Sequence, residues 1–250
     1  MVSPERAISN EAELDLALSG LAVPVRRVVA LGFVAGCVDA LGVVDLHGVY
    51  TAAMTGNTTQ LGIAFVRGEW PRFALTAWTL AAFFGGGLLG SIIRRHLRRP
   101  AFELLIMAGV LLLAGAIRMH AGPLAFVELS LLAIAMAMQG QTVSRFGGLS
   151  IQTIVVTNTI LKFADGLIGR YTPLRTRSET ADTAGRRADI ADVIVPACAW
   201  LAYMVGAGIG AAAATGLQFP LLVPVVVLAL TACDLLLTSS PAHARQGDRV

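Results

Sequence analysis

Eight apolar runs separated by short polar breaks organise this chain: Val28–Leu46, Tyr50–Val66, Phe73–Ile93, Phe102–Ile117, Leu124–Met138, Ile151–Ile168, Val193–Ala214 and Leu217–Leu237. They are too long and too continuously apolar for barrel strands, in which polar and apolar positions alternate. The pattern therefore predicts an all-α fold, a polytopic bundle of membrane helices. Runs two and six stand apart. The second carries Thr51, Thr55, Asn57, Thr58, Thr59 and Gln60, and the sixth carries Gln152, Thr153, Thr157, Asn158, Thr159, Lys162 and Asp165. Both are shorter and more polar than an ordinary span of roughly 20 apolar residues.

The two polar runs also set a register. Laying Met54-Thr55-Gly56-Asn57-Thr58 over Val156-Thr157-Asn158-Thr159-Ile160 places runs one to four over runs five to eight. Asp39 then falls over Gln141, and the second copy carries one polar insertion between Arg170 and Asp192. Internal repeats of this kind occur in transporters and channels. The expected organisation is a tail over 1–26, a membrane domain over 27–238 and a second tail over 239–250. Within the membrane domain the halves are 27–119 and 123–238, with the polar loop at 170–192. The first tail carries Glu5, Glu11, Glu13 and Asp15, which does not fit a secretory signal and reads as a short amphipathic or disordered segment.

Charge bears on how many runs cross. Basic residues cluster at Arg26-Arg27, at Arg94 to Arg99, at Arg170 to Arg187, and at Arg245 and Arg249. Cytoplasmic loops hold an excess of Lys and Arg. With eight full crossings either orientation leaves basic clusters on the wrong side. If runs two and six dip into the membrane and return, all four clusters fall on one side, with both termini cytoplasmic. Six spans plus two short re-entrant or broken helices is thus the expected architecture, and a seven- or eight-span bundle is the alternative. Each half then holds an odd number of crossings, so the second half is inverted relative to the first.

Composition agrees with a membrane location. The chain is 56% hydrophobic and 14% charged, with a mean hydropathy of +0.72. Soluble domains run about 45–50% apolar and about 25% charged. A net charge of +3, with the arginines lying between apolar runs, argues against nucleic-acid binding. Cys37, Cys198 and Cys233 are far apart inside apolar runs and read as small buried side chains. Glycine pairs at helical spacing, Gly32/Gly36, Gly86/Gly90 and Gly206/Gly210, suit close helix packing and leave a homo-oligomer open.

An ionisable group inside a span is a functional candidate. Asp39 is the foremost. Asp45 and Asp234 lie near run ends and read as interfacial or paired. Thr55, Gly56 and Asn57 form the sharpest local feature, since Gly56 permits a tight backbone and Thr and Asn cap helix N-termini. A helix starting there would aim its positive end into the membrane. Thr157 and Asn158 are the counterpart, and Gln139 and Gln141 could line a cavity. Substrate contacts are accordingly expected at Asp39, Thr55, Gly56, Asn57, Gln139, Gln141, Thr157 and Asn158. No metal-ligand spacing, nucleotide loop or nucleophile elbow is present, so no cofactor and no enzyme are expected.

Gly32-Phe33 through Asp39-Ala40-Leu41-Gly42, then Met54-Thr55-Gly56-Asn57-Thr58 and Leu61-Gly62, resemble the YoaK-type family of uncharacterised bacterial membrane proteins. The likeness extends to Met138-Gln139 and Val156-Thr157. The second copy departs from the family pattern. Ala137 to Gly140 stand where Gly-Leu-Gln-Asn is usual, and Asn158 replaces a glycine. The resemblance implies a bacterial inner-membrane protein and supplies no substrate. The reading from the residues is a transporter or channel for a small molecule or ion in the lipid bilayer. A non-transporting scaffold or sensor is the rival.

Overall fold

A computed structural model describes residues 4–97, 100–119, 124–143, 156–171 and 190–238. These form eight helices, with no strand among the described residues: α1 (Pro4–Asp45), α2 (Met54–Arg67), α3 (Trp70–His96), α4 (Pro100–Arg118), α5 (Ala125–Val143), α6 (Val156–Tyr171), α7 (Ile190–Gly216) and α8 (Leu222–Thr238). Among the described residues four segments are long and apolar enough to cross a membrane: Val25–Asp45, α3, α4 and α7, with mean hydropathies of 2.0, 1.5, 2.1 and 1.8. Phe126–Gln141 and α8 are shorter apolar helices. The shared core gathers Leu31, Val34, Val38 and Leu41 of α1 with Leu104, Met107, Leu111, Leu129, Leu132, Met136 and Leu228. Phe84, Leu88, Leu113 and Leu230 point outward and are exposed. A soluble monomer rarely leaves so much apolar surface bare, whereas lipid accepts it.

Helix ends follow local chemistry. His47 and Gly48 adopt left-handed backbone, φ 59° and 79°, and the Gly48 N–H donates back to the Val43 carbonyl at 3.2 Å. That wrap stops α1. Gly68 does the same for α2 at φ 68°, with the Glu69 N–H donating to the Ala64 carbonyl at 2.9 Å. Pro71 then suits the first turn of α3. The acidic segment expected as a separate tail is continuous with the first span, because the helix runs unbroken from Pro4. The second run also divides: 49–53 is non-helical, and the helix begins only at Met54. The first part of run six and most of the 170–192 loop lie outside the described residues.

Side-chain partners fix the helix directions. Gly36 faces Tyr203 and Gly210 faces Cys37, so α1 and α7 run parallel. Gly86 faces Ile134 and Gly90 faces Met138, so α3 and α5 run parallel. Gln139 reaches Leu31, while Arg118 bridges Asp45 and Glu128. Helix α5 therefore runs against α1, and α4 ends where α1 ends. Arg26 and Arg27 meet Asp234, so α8 also runs against α1. The bundle thus has an Asp45 end and an Arg26 end. Helix α1 finishes and α3 starts at the Asp45 end, so α2 joins two helix ends on one side. Helix α5 finishes and α7 starts at the Arg26 end, and α6 joins those two.

Candidate functional site

Beyond Asp45 the chain turns back down the side of α1. The return brings the backbone of Thr51–Ala53 to the carboxylate of Asp39, two turns before the end of α1. Six residues at about 1.5 Å each put Asp39 about 9 Å below Asp45. Asp39 Oδ1 accepts the N–H groups of Thr51 at 2.7 Å, Ala52 at 2.6 Å and Ala53 at 3.4 Å, and the Thr51 hydroxyl at 3.2 Å. Its Oδ2 accepts the Tyr203 hydroxyl of α7 at 2.7 Å. Successive backbone N–H groups curled around one anion form a nest. Here the anion is supplied by the protein itself, and at 2% exposure it is shielded from solvent. An unpaired carboxylate at this depth would be very costly, so five donors are what make it tolerable.

Asn57 secures the other side of the turn. Its Oδ1 accepts the Tyr50 N–H at 3.0 Å, and its Nδ2 donates to the Tyr50 carbonyl at 2.7 Å. Fully buried, it replaces the ladder partner that an extended residue inside the membrane would otherwise lack. Gln60 Nε2 adds a bond to the Gly48 carbonyl at 3.1 Å. Because Gln60 lies two turns above Met54 and Gly48 lies beside the end of α1, α2 rises back toward the Asp45 end. The segment 46–53 descends and α2 ascends.

The expected N-cap role of Thr55 and Asn57 is corrected by this geometry. The N-cap position of α2 is Ala53, with no side-chain cap, and Asp39 from α1 takes the preceding N–H groups instead. Thr55 is exposed in the first turn. Gly56 is helical and lacks the unusual backbone expected of it: the positive-φ glycines among the described residues are Gly48 and Gly68. Its reason is contact, since a Cβ there would stand 3.1 Å from the Tyr50 ring.

The remaining expected site residues do not join this cluster. Gln139 is fully buried between α5 and α1, donating to the Leu31 carbonyl at 2.6 Å. Its Oε1 meets no hydrogen-bond partner among the described residues. Gln141 is half-buried, and its carbonyl accepts from Arg94 at 3.5 Å. Asn158 is exposed on α6, which packs by Gly166 against Asp192 near the Arg26 end. The side chain of Thr157 lies outside the described residues. Sequence reasoning missed Tyr203, whose only signal was a hydroxyl within an apolar run. It also missed the backbone of Thr51–Ala53, which carries no side-chain signature at all.

Two ion networks close the ends. Arg118 pairs with Asp45 and, at 3.3 Å, with Glu128, joining α4, α1 and α5. At the opposite end Asp234 of α8 pairs with Arg26 and, at 3.3 Å, with Arg27, and Arg27 donates to Thr238 at 2.7 Å.

Fold and site together define a multi-pass helical membrane protein with a self-occupied anion nest at a chain reversal. The chain belongs to the family described as Protein of unknown function (DUF1275), whose model matches residues 28–233. It is 30% identical over 144 residues to a UPF0700 transmembrane protein of Rhizobium meliloti (strain 1021), covering 58% of this chain and 61% of that relative. It is 24% identical over 208 residues to the UPF0700 transmembrane protein YoaK of Bacillus subtilis (strain 168), covering 78% of this chain and 86% of the relative. The chain thus spans less than two thirds of the first relative and most of the second. No solved structure matches it.

Proposed function

We propose that this protein is a transporter or channel for a small molecule or ion in the bacterial inner membrane, with both termini cytoplasmic. The reading is carried by one observation: a buried carboxylate, Asp39, holds the backbone of a segment that enters the membrane domain and turns back. Irregular backbone at such depth is retained where it lines a pathway or is covered by protein, and intramembrane carboxylates mark ion and substrate routes. Asp39, Tyr203 and the α2 N-terminus with Thr55, Gly56 and Asn57 are the proposed pathway residues. Opening requires Asp39 to leave the nest. The proposed orientation is supported by Arg94 and Arg95, which share the Arg26 end with Arg27.

An inverted repeat is part of the same proposal. Helices α3 and α7 are each 27 residues long, with Gly86/Gly90 and Gly206/Gly210 at matching positions. Each glycine pair packs on the first helix of the other half. The halves run in opposite directions, as in transporters whose sites form between inverted copies. A second reading, a non-transporting membrane scaffold, is favoured by the saturation of Asp39 with internal donors.

Proteoliposomes on a solid-supported membrane, challenged with jumps of sodium, potassium, chloride, protons and mixed amino acids, separate the two. Transport predicts a current from wild type that is lost in Asp39→Asn while the variant stays monodisperse. Currents that survive both Asp39→Asn and Asn57→Ala overturn the pathway assignment. Silence of the wild type across the panel favours the scaffold.

A further inference from the structure

The corner between α2 and α3 carries a cluster of aromatic rings. Phe65, Trp70 and Phe73 gather around Gly68 and Glu69 with ring centroids 5.8–6.1 Å apart. Yet the cluster is not a core: Phe65 is 58%, Val66 85% and Trp70 59% exposed. Phe73 is half-buried, while Phe65 and Trp70 leave more than half of their surface for an apolar neighbour from outside the chain. Arg67 and Arg72 flank them with side chains 66% and 47% exposed, each within 4 Å of Glu69.

The height of the corner says what that neighbour is. Gly86 lies against Ile134 and Gly90 against Met138, which sets the start of α5 level with roughly Ala77 of α3. Trp70 stands about 10 Å further out. Helix α2 leads to the same level, since its 14 residues rise about 20 Å from a base about 9 Å below Asp45. Charged groups are costly in hydrocarbon, so we take the triad Asp45, Arg118 and Glu128 as its edge. Phe65 and Phe73 stand about 6–8 Å beyond it and Trp70 about 10 Å, so the rings run through a headgroup layer roughly 5–8 Å thick to its outer margin. Amphipathic aromatic rings concentrate in that layer, and arginines there meet phosphates.

We infer that the α2–α3 corner is a membrane-interface anchor, with Phe65, Trp70 and Phe73 seated among lipid headgroups and Arg67 facing their phosphates. The anchor holds the ascending α2 upright beside the nest, so that the reversal at Thr51–Ala53 is tethered at its base by Asp39 and at its top by lipid. It does not depend on whether the protein transports anything.

Trp70 reports on this directly. A chain with Trp78→Phe and Trp200→Phe is reconstituted into phosphatidylcholine–phosphatidylglycerol vesicles carrying nitroxide lipids labelled near the headgroup or near the chain end. The inference expects quenching at least twofold stronger from the headgroup-side label than from the chain-end label or from aqueous iodide. Dominant chain-end quenching overturns it by placing the corner in hydrocarbon, and dominant iodide quenching overturns it by placing the corner in water. If that chain does not fold, Val66→Cys bearing an environment-sensitive fluorophore, with Cys37→Ala, Cys198→Ser and Cys233→Ser, is measured with the same quenchers. The same three quenching patterns then support or overturn the anchor.

Discussion

Asn57 holds Tyr50 by both of its backbone groups, accepting its N–H at 3.0 Å and donating to its carbonyl at 2.7 Å. The pair braces the two arms of the chain reversal against each other, with Asn57 fully buried. Replacing Asn57 with Ala strands a buried donor and a buried acceptor together, a loss of roughly 2–4 kcal/mol. Asn57→Asp should be no better, because a carboxylate oxygen would then face the Tyr50 carbonyl. Melting in detergent checks both, and an unchanged midpoint for Asn57→Ala would show that the clamp carries no weight.

Asp39 and Tyr203 join the reversal to α7. Asp39→Ala abandons three N–H groups and the hydroxyls of Thr51 and Tyr203 at once, and should abolish a stable fold. Asp39→Asn retains one carbonyl oxygen for the nest and should cost about 1–3 kcal/mol. Tyr203→Phe removes one donor from a buried carboxylate oxygen, again about 1–3 kcal/mol. The order Ala, then Asn, is the test: equal losses for the two Asp39 variants would mean the nest does not need an acceptor.

Arg118 lies between two carboxylates, those of Asp45 and Glu128. Arg118→Leu leaves both facing each other while largely buried, and should cost about 3 kcal/mol. Asp45→Asn keeps the Arg118–Glu128 pair and should cost under about 1 kcal/mol. Adding Asp45→Asn and Glu128→Gln to Arg118→Leu should restore most of the loss. Failure of that rescue would show that Arg118 acts by packing rather than by charge.

Gly86 and Gly206 occupy matching places in α3 and α7, where an added Cβ would collide with backbone of Ile134 and of Phe33. Gly86→Leu and Gly206→Leu should each destabilise by more than the roughly 1–3 kcal/mol of ordinary overpacking, because backbone cannot rotate away. Gly62→Leu, with nothing within 4 Å of its missing Cβ, is the control and should be nearly neutral. Thermal aggregation of detergent-solubilised variants ranks the three.

Single cysteines test the reversal itself. A thiol at Glu69 should react with a membrane-impermeant maleimide added to intact spheroplasts, and one at Arg95 should react only after lysis. Protection of Glu69 until lysis would require α2 to cross.

Much of the architecture was legible from runs and arginines. Long apolar runs bounded by charge dictate spanning helices, because lipid offers the backbone no hydrogen-bond partner. Runs two and six were marked as different by their threonines, and α2 and α6 each join helix ends on one side. The site was legible only in its anchor points. Asp39 and Asn57 stood out as polar groups in apolar surroundings, but their partners did not. Tyr203 is 164 residues from Asp39, and Thr51–Ala53 contribute only main-chain N–H groups, which every residue type but proline shares. The N-cap assignment failed for the same reason. The acceptor for those N–H groups came from another helix, and local sequence cannot register that.

Hydropathy and charge act locally along the chain, and they were enough to place it in a bilayer, to locate its helices and to mark two of them as unlike the rest. Only the folded molecule shows that the anion expected to visit a helix start is already there as Asp39. That outcome depends on how far a turn descends beside α1 and on which face of α7 arrives opposite it. Both are set by packing between segments distant in sequence.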